Sequence, residues 1–477
     1  MVFVAAIQYG AAGLTDPAEG STTMTAQPFR SRFAATLFGV LAAALALSLP
    51  AGAVTTPTVD PTRTPDTSAA VAAALAEKSS GQRTPAERAA MGGFEALFAG
   101  DVPRAEAAFQ QALQADPRLA AALVGLADVR LRQKRPADAE ALLKRAVANE
   151  PKNAALQTSL GRFYFGQGRL AEAKASYNEA IRLDPRALSA HVDLADLYAT
   201  AERNPGAAIG EYRKALAIKP DYHPARLGLA LALLASGDRP GALKELQQLA
   251  SDTPTDPTAW HIIGRIHASE KRYGEAAKAL TEALRVQSDF LPALMDRADV
   301  YAAAGEDRKA AVDYEQVLKR RPDDAVSRVK LGMIYQRLGE TGKAEASYRA
   351  ALRTNPELPP AANNLAMIEL GKGRNLDEAL ALSRKAVALA PEVPQFHDTL
   401  GQVLRARGDR NGAIAATEKA TTLKPPQADI WYHLGRLYEE AGRKDPAVKA
   451  YRRALELDPK FQDAAAARSR LQALGAK

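Results

Sequence analysis

Residues 154–185 read AALQTSLGRFYFGQGRLAEAKASYNEAIRLDP, and the punctuation of this stretch decides the fold. Leu156, Leu160 and Tyr164 recur at helical spacing on one face of a first segment, which Gly166-Gln167-Gly168 ends. A second segment presents Ala173, Tyr177, Ala180 and Ile181. Asp184-Pro185 stops it, because proline has no N–H for the helical ladder and disfavours helical geometry in the residue before it. The stretch predicts a helix-turn-helix hairpin. One hairpin leaves an apolar face bare, so burial is completed only by stacking on a neighbour.

The neighbours are visible as a period. Prolines stand at 117, 151, 185, 220, 254, 322, 356, 391, 425 and 459, mostly 34 residues apart, and position 288, halfway between 254 and 322, carries Ser. Counting back 34 from Pro117 reaches Arg83, where the array is expected to begin. Small residues recur ten, twenty-two and twenty-nine residues after each mark: Gly161, Ala173 and Ala180, then Gly264, Ala276 and Ala283, then Gly401, Ala413 and Ala420, then Gly435, Ala447 and Ala454. These are places where two helices must approach closely.

The 34-residue period, the small residue of the first helix, the alanine pair of the second and the closing proline resemble the tetratricopeptide repeat family. The resemblance covers residues 84–461 in about eleven units. It implies an all-α, right-handed superhelical solenoid whose first helices line a concave side where a partner peptide lies. The family's Trp appears only as Trp260 and Trp431, and extra residues near Asn204 and Asn375 are expected in turns. Pro224, Pro292 and Pro360 fall in the first turn of a first helix, where a missing N–H costs little. Residues 462–477 are expected to form a capping helix, and Thr67–Lys78 a weaker cap at the other end.

Composition agrees. Of 477 residues 47% are hydrophobic but only 6% aromatic, with Ala and Leu dominant, which describes a helical chain with thin cores. The net charge of +8 is spread among mixed signs, whereas a nucleic-acid surface needs clustered cations, so no nucleic-acid partner is expected. The absence of cysteine excludes disulfides, thiolate metal sites and cysteine nucleophiles.

Arg30 and Arg32 precede an apolar run from Phe33 to Leu49, followed by Pro50 and Ala51-Gly52-Ala53. This is the pattern of a secretory signal peptide over residues 1–53, with cleavage expected after Ala53 and a true start at Met24. An uncleaved anchor is the alternative, and either places the repeats outside the cytoplasm, periplasmic or secreted, with no membrane span after cleavage. Residues 54–83 then read as a Thr- and Pro-rich tether leading into a short helix.

The chemistry-bearing residues do not assemble a reaction. The six histidines fall in different repeats, except His261 and His267, whose spacing of six does not suit zinc on a helix. Gly371-Lys372-Gly373 lacks the rest of a phosphate loop. The pairs Asp193/Asp196 and Asp296/Asp299 read as solvated faces. No catalytic residue, metal or cofactor is expected, and the chain is not read as an enzyme.

Function is expected on a row eleven residues after each mark, which the resemblance directs inward: Asp128, Arg162, Asp196, Leu231, Arg265, Asp299, Met333, Met367, Gln402 and Arg436. Its mixed charge suits other proteins or extended peptides, with Asp128, Arg162, Asp196, Arg265, Asp299, Gln402 and Arg436 as contacts. The family's carboxylate clamp is absent, since Val124 with Asp128 and Thr158 with Arg162 stand at its positions, and of its asparagine ladder only Asn364 is present. The expectation is an exported scaffold in an envelope assembly of the polysaccharide-export, pilus or secretion type. The alternatives are an envelope polysaccharide-binding module, which needs exposed aromatic platforms, and an accessory subunit of an enzyme encoded elsewhere.

Overall fold

The protein is described by a computed structural model that covers residues 71–72, 75–76, 83–424 and 426–476. The export signal, its cleavage site and the tether up to residue 70 lie outside the described residues. Two compact units divide the rest: described residues up to 272 with 285–287, and 273–284 with 288–476.

The first unit holds α1 (Pro85–Phe98), α2 (Val102–Ala115), α3 (Ala120–Arg132), α4 (Pro136–Asn149), α5 (Ala154–Gly166), α6 (Leu170–Leu183), α7 (Leu188–Thr200), α8 (Pro205–Ile218), α9 (His223–Ser236), α10 (Arg239–Asp252) and α11 (Thr258–Ser269). After α12 (Tyr273–Val286), the second unit holds α13 (Leu291–Ala303), α14 (Asp307–Arg320), α15 (Ala325–Arg337), α16 (Thr341–Thr354), α17 (Pro359–Lys372) and α18 (Leu376–Leu389). It continues with α19 (Pro394–Ala406), α20 (Arg410–Thr422), α21 (Ala428–Glu440), α22 (Lys444–Leu457) and α23 (Ala464–Ala473). From α1 to α11, and again from α13 to α23, each helix packs on the next one along the chain. Each unit is therefore an all-α stack of hairpins, and the described residues contain no strand.

Local chemistry sets the helix ends. Thr84 and Glu87 close a reciprocal cap on α1, Glu87 N–H donating to Thr84 Oγ1 at 3.2 Å and Thr84 N–H to Glu87 Oε2 at 2.8 Å. Asp101, Asp238, Asp324 and Asp409 accept from the first-turn N–H groups of α2, α10, α15 and α20. The turn inside a hairpin needs one left-handed residue, supplied by Gly168 (φ 71°) between α5 and α6.

The residue six places after a proline mark often returns to that proline's carbonyl. His191 Nε2 lies 3.1 Å from Pro185 O and His397 Nε2 lies 2.8 Å from Pro391 O; Arg226 donates to Pro220 O at 2.7 Å and Arg328 Nε to Pro322 O at 3.1 Å. These two histidines therefore satisfy backbone where one hairpin passes to the next.

The small residues of the first helices meet rings from the second. A Cβ built on Gly161 would stand 2.6 Å from the Tyr177 ring, and Gly332 and Gly435 stand in the same way against Tyr348 and Tyr451. Phe109 lies against both Gly93 of its own repeat and Gly125 of the next, so one ring joins two repeats. The extra residue near Asn204 widens the turn between α7 and α8, as expected. The other is absorbed differently: α17 runs one residue longer, to Lys372, and Gly373 (φ 61°) and Asn375 (φ 55°) turn the chain. At the C-terminal end α23 buries Ala464 and Ala467, and Leu471 and Leu474 pack toward Tyr432 and Tyr451.

Candidate functional site

The row eleven residues after each mark is largely engaged by the array itself. Arg162 Nε donates to Asp193 Oδ2 at 2.6 Å, Lys330 Nζ holds both oxygens of Asp299 at 2.9 and 2.8 Å, and Gln402 Nε2 approaches His433 Nδ1 at 3.4 Å. In each case the partner is 31 residues away, one period less one helical turn. That offset places the two side chains on neighbouring first helices. The alternating signs are thus a ladder between repeats before they are a surface for anything else.

Individual positions differ. Asp128 is only 6% exposed, and Leu231 and Met333 are buried. Asp196 is exposed and accepts from the buried Tyr212 hydroxyl. Arg265 is half-buried. Asp299 keeps 45% of its side chain exposed despite Lys330, and it also accepts from Tyr314. Arg436 lies 3.8 Å from Glu440, which Arg405 holds more closely, so its head is the looser one. Met367 is 36% exposed. Asp299, Met367 and Arg436 in the second unit, and Asp196 in the first, are the members a partner can reach directly.

Sequence reading took Asp193 for a solvated face, counted His433 among scattered histidines and missed Lys330 and Asp398, all four standing eight or seven residues after a mark. The signal was present in the 31-residue recurrence of opposite charges. Burial lifts the Asp193 carboxyl above the ordinary range while Arg162 opposes the shift. Tyr432, an aromatic of this face, is buried against Tyr451 and Phe461, each ring centre 5.8 Å away. Among the described residues, the exposed large apolar side chains include one ring, Phe98.

His433 stands beside the row, on Asp398 and Gln402. Its Nδ1 stands 2.9 Å from Asp398 Oδ2, with Gln402, Asp429 and Asp463 around it. Burial works against the imidazolium, but the charge and hydrogen bond of Asp398 outweigh it and the pKa is raised. A raised value in the folded state stabilises fully below the unfolded value of about 6.5 and is lost as pH rises through the folded value. The second unit's denaturation midpoint is therefore expected to fall across that window, and His433→Gln to flatten the profile. A wild-type profile already flat there would contradict the pairing.

Among the described residues no group of three His, Asp or Glu side chains is placed to hold a metal ion, and no helix is long and apolar enough to cross a membrane.

Comparison with known proteins matches residues 96–163 and 428–461 to tetratricopeptide repeat models. Residues 145–365 match the C-terminal domain of cilia and flagella-associated protein 70. A human protein, Protein O-mannosyl-transferase TMTC3 of Homo sapiens, is 26% identical over 136 residues, which is 28% of this chain and 14% of that protein. The chain thus spans only a small part of that relative's length. Among solved structures, the APC/C hetero-tetramer Cut9-Hcn1 is 16% identical, covering 81% of this chain and 96% of that one with a TM-score of 0.41. A tetratricopeptide repeat protein from Parabacteroides merdae is 21% identical, covering 51% and 96% with a TM-score of 0.42. The 34-residue marks, the stacked hairpins with their ring-on-glycine contacts and the matching repeat models lead to one conclusion: this chain carries tetratricopeptide repeats.

Proposed function

We propose that the protein is a non-enzymatic scaffold, exported to the cell envelope, that holds other proteins or extended peptides on the face of its first helices. The observation that carries the scaffold reading is a chemically mixed, accessible set within one unit, Met367, Arg436 and the half-exposed Asp299 that Lys330 also holds, in a frame occupied by the array's own ion pairs. Such a surface grips a chain through scattered charges and one apolar contact. The envelope setting rests on the export signal read from Arg30 to Ala53. A polysaccharide-binding role draws no support from the buried Tyr432.

The test is affinity capture from envelope extracts of the native host with the chain from Val54 onward, beside a Met367→Glu/Arg436→Glu variant. These sites are chosen because neither anchors a close ion pair between repeats. A defined protein set retained by the wild type and reduced at least about tenfold by the variant, equivalent to about 1.4 kcal/mol, is the expected result. Retention of glycan alone would replace the scaffold reading with the polysaccharide one.

A further inference from the structure

The first two repeats differ from the others in what lies over them. Four positions of each first helix, at four, seven, eleven and fourteen residues after the mark, form the stripe on which the proposed docking row stands. In α3 all four are buried: Ala121 at 8%, Val124 at 0%, Asp128 at 6% and Leu131 at 8%. In α1 the same holds, with Phe94 and Leu97 each at 1%. No other repeat among the described residues buries all four. End repeats have fewer neighbours than inner ones, so this burial needs a cover.

The cover is on the chain itself. Residues 71–72 and 75–76 are helical, with Ala72 at 5% and Leu75 at 6% exposure. Ala72 and Leu75 belong to one apolar cluster with Phe94, Leu97, Ala121 and Leu126. Val71 packs on that cluster and also on the next, which contains Val124 and Leu131. A plug on the outer end of the array would not reach the second cluster, whose members lie in the second to fourth repeats. Arg83 fixes the segment in place, Nε donating to Leu75 O at 3.2 Å and Nη2 to Ala76 O at 2.9 Å. The sequence places a weaker cap at Thr67–Lys78, and the described residues of that stretch pack with these two apolar clusters.

We propose that Val71, Ala72 and Leu75 belong to a displaceable internal ligand, and that the stripe of α1 and α3 is a docking site for a short helix presenting apolar residues at positions i, i+1 and i+4. This rests on the reading of that stripe as a docking surface. The segment offers one Val and one Leu among alanines, a small apolar area, and it sits on a face otherwise unlike the charged row of later repeats. A partner helix with larger residues at the same spacing buries more and displaces it. Until then the segment lowers apparent affinity by the fraction of molecules in which the stripe is closed.

The probe is a labelled peptide of residues 67–80, TSAAVAAALAEKSS, titrated into the full chain and into Val71→Asp/Leu75→Asp and Arg83→Ala variants. Helical signal, sedimentation and amide exchange in α3 are followed in parallel. The expected result is a monomer in which the double variant keeps its helical signal, exchanges faster in α3 and binds peptide about tenfold more tightly than wild type, with Arg83→Ala between them. Unchanged exchange in α3 would show that the segment does not cover the stripe. Faster exchange without peptide binding would show a cover over a face that docks nothing, sinking the inference while leaving the Met367/Arg436 test in the other unit untouched. Collapse of the double variant with no gain in Arg83→Ala would make the segment a structural cap, and a wild-type dimer that dissociates on adding peptide would make the occupant a second copy; each overturns the proposal.

Discussion

Replacing Tyr348 by alanine is expected to destabilise the second unit by about 3–5 kcal/mol, the range for deleting a large buried ring. Tyr348 is completely buried, its ring lies against Gly332, and its hydroxyl donates to Gln336 and accepts from Asn364 at 3.2 Å. The loss combines a cavity between α15 and α16 with a broken polar link to α17. Because units in such an array unfold semi-independently, the measurement is amide exchange in α15–α17 alongside denaturant unfolding of the whole chain. The contact is tested from the other side by Gly332→Ala, whose Cβ would meet the ring at 2.6 Å and which is expected to cost about 1–3 kcal/mol. In a Tyr348→Leu background that cost is expected to shrink. Full additivity of the two changes would show that ring and glycine are not in the contact described here.

A comparable loss is expected from one cation. Arg297 meets Asp313 with two parallel bonds, Nε to Oδ2 and Nη2 to Oδ1, each 2.8 Å, and the Asp313 side chain is only 4% exposed. Arg297→Met leaves that carboxylate buried without its fork and is expected to cost about 3–5 kcal/mol. Desolvation of both charges offsets much of the attraction in the intact pair, so Arg297→Met combined with Asp313→Leu is expected to recover most of the loss. The readout is the unfolding midpoint of the three variants against wild type. A double variant as unstable as the single one would assign the effect to lost packing of the Arg297 stem.

How much of this was legible depended on the range of the interaction. Asp184-Pro185 and Gly166-Gln167-Gly168 act within a turn of chain, and they placed α5, α6 and the helices in phase with them. The aromatic at Tyr177 was readable as buried, but not that its ring would rest on Gly161, since that contact needs the crossing of two helices. The extra residue near Asn375 was placed in a turn, whereas α17 takes it up, because one more helical residue costs little where Gly373 can still adopt a left-handed turn.

The row of Asp128, Arg162, Asp196, Arg265, Asp299, Gln402 and Arg436 shows the limit most clearly. Its periodicity is a property of the chain. Whether a member is available is a property of neighbours: Arg162 is held by Asp193 on the next hairpin, Asp128 lies in the closed part of the stripe, and Arg436 retains a half-exposed head. The sequence by itself determined the repeat and the all-helical class, because these follow from proline, glycine and apolar spacing within about 34 residues. Only tertiary structure decided which charges are already paired and that Val71 and Leu75 lie over α1 and α3, because those outcomes depend on which surfaces stacking brings within contact distance.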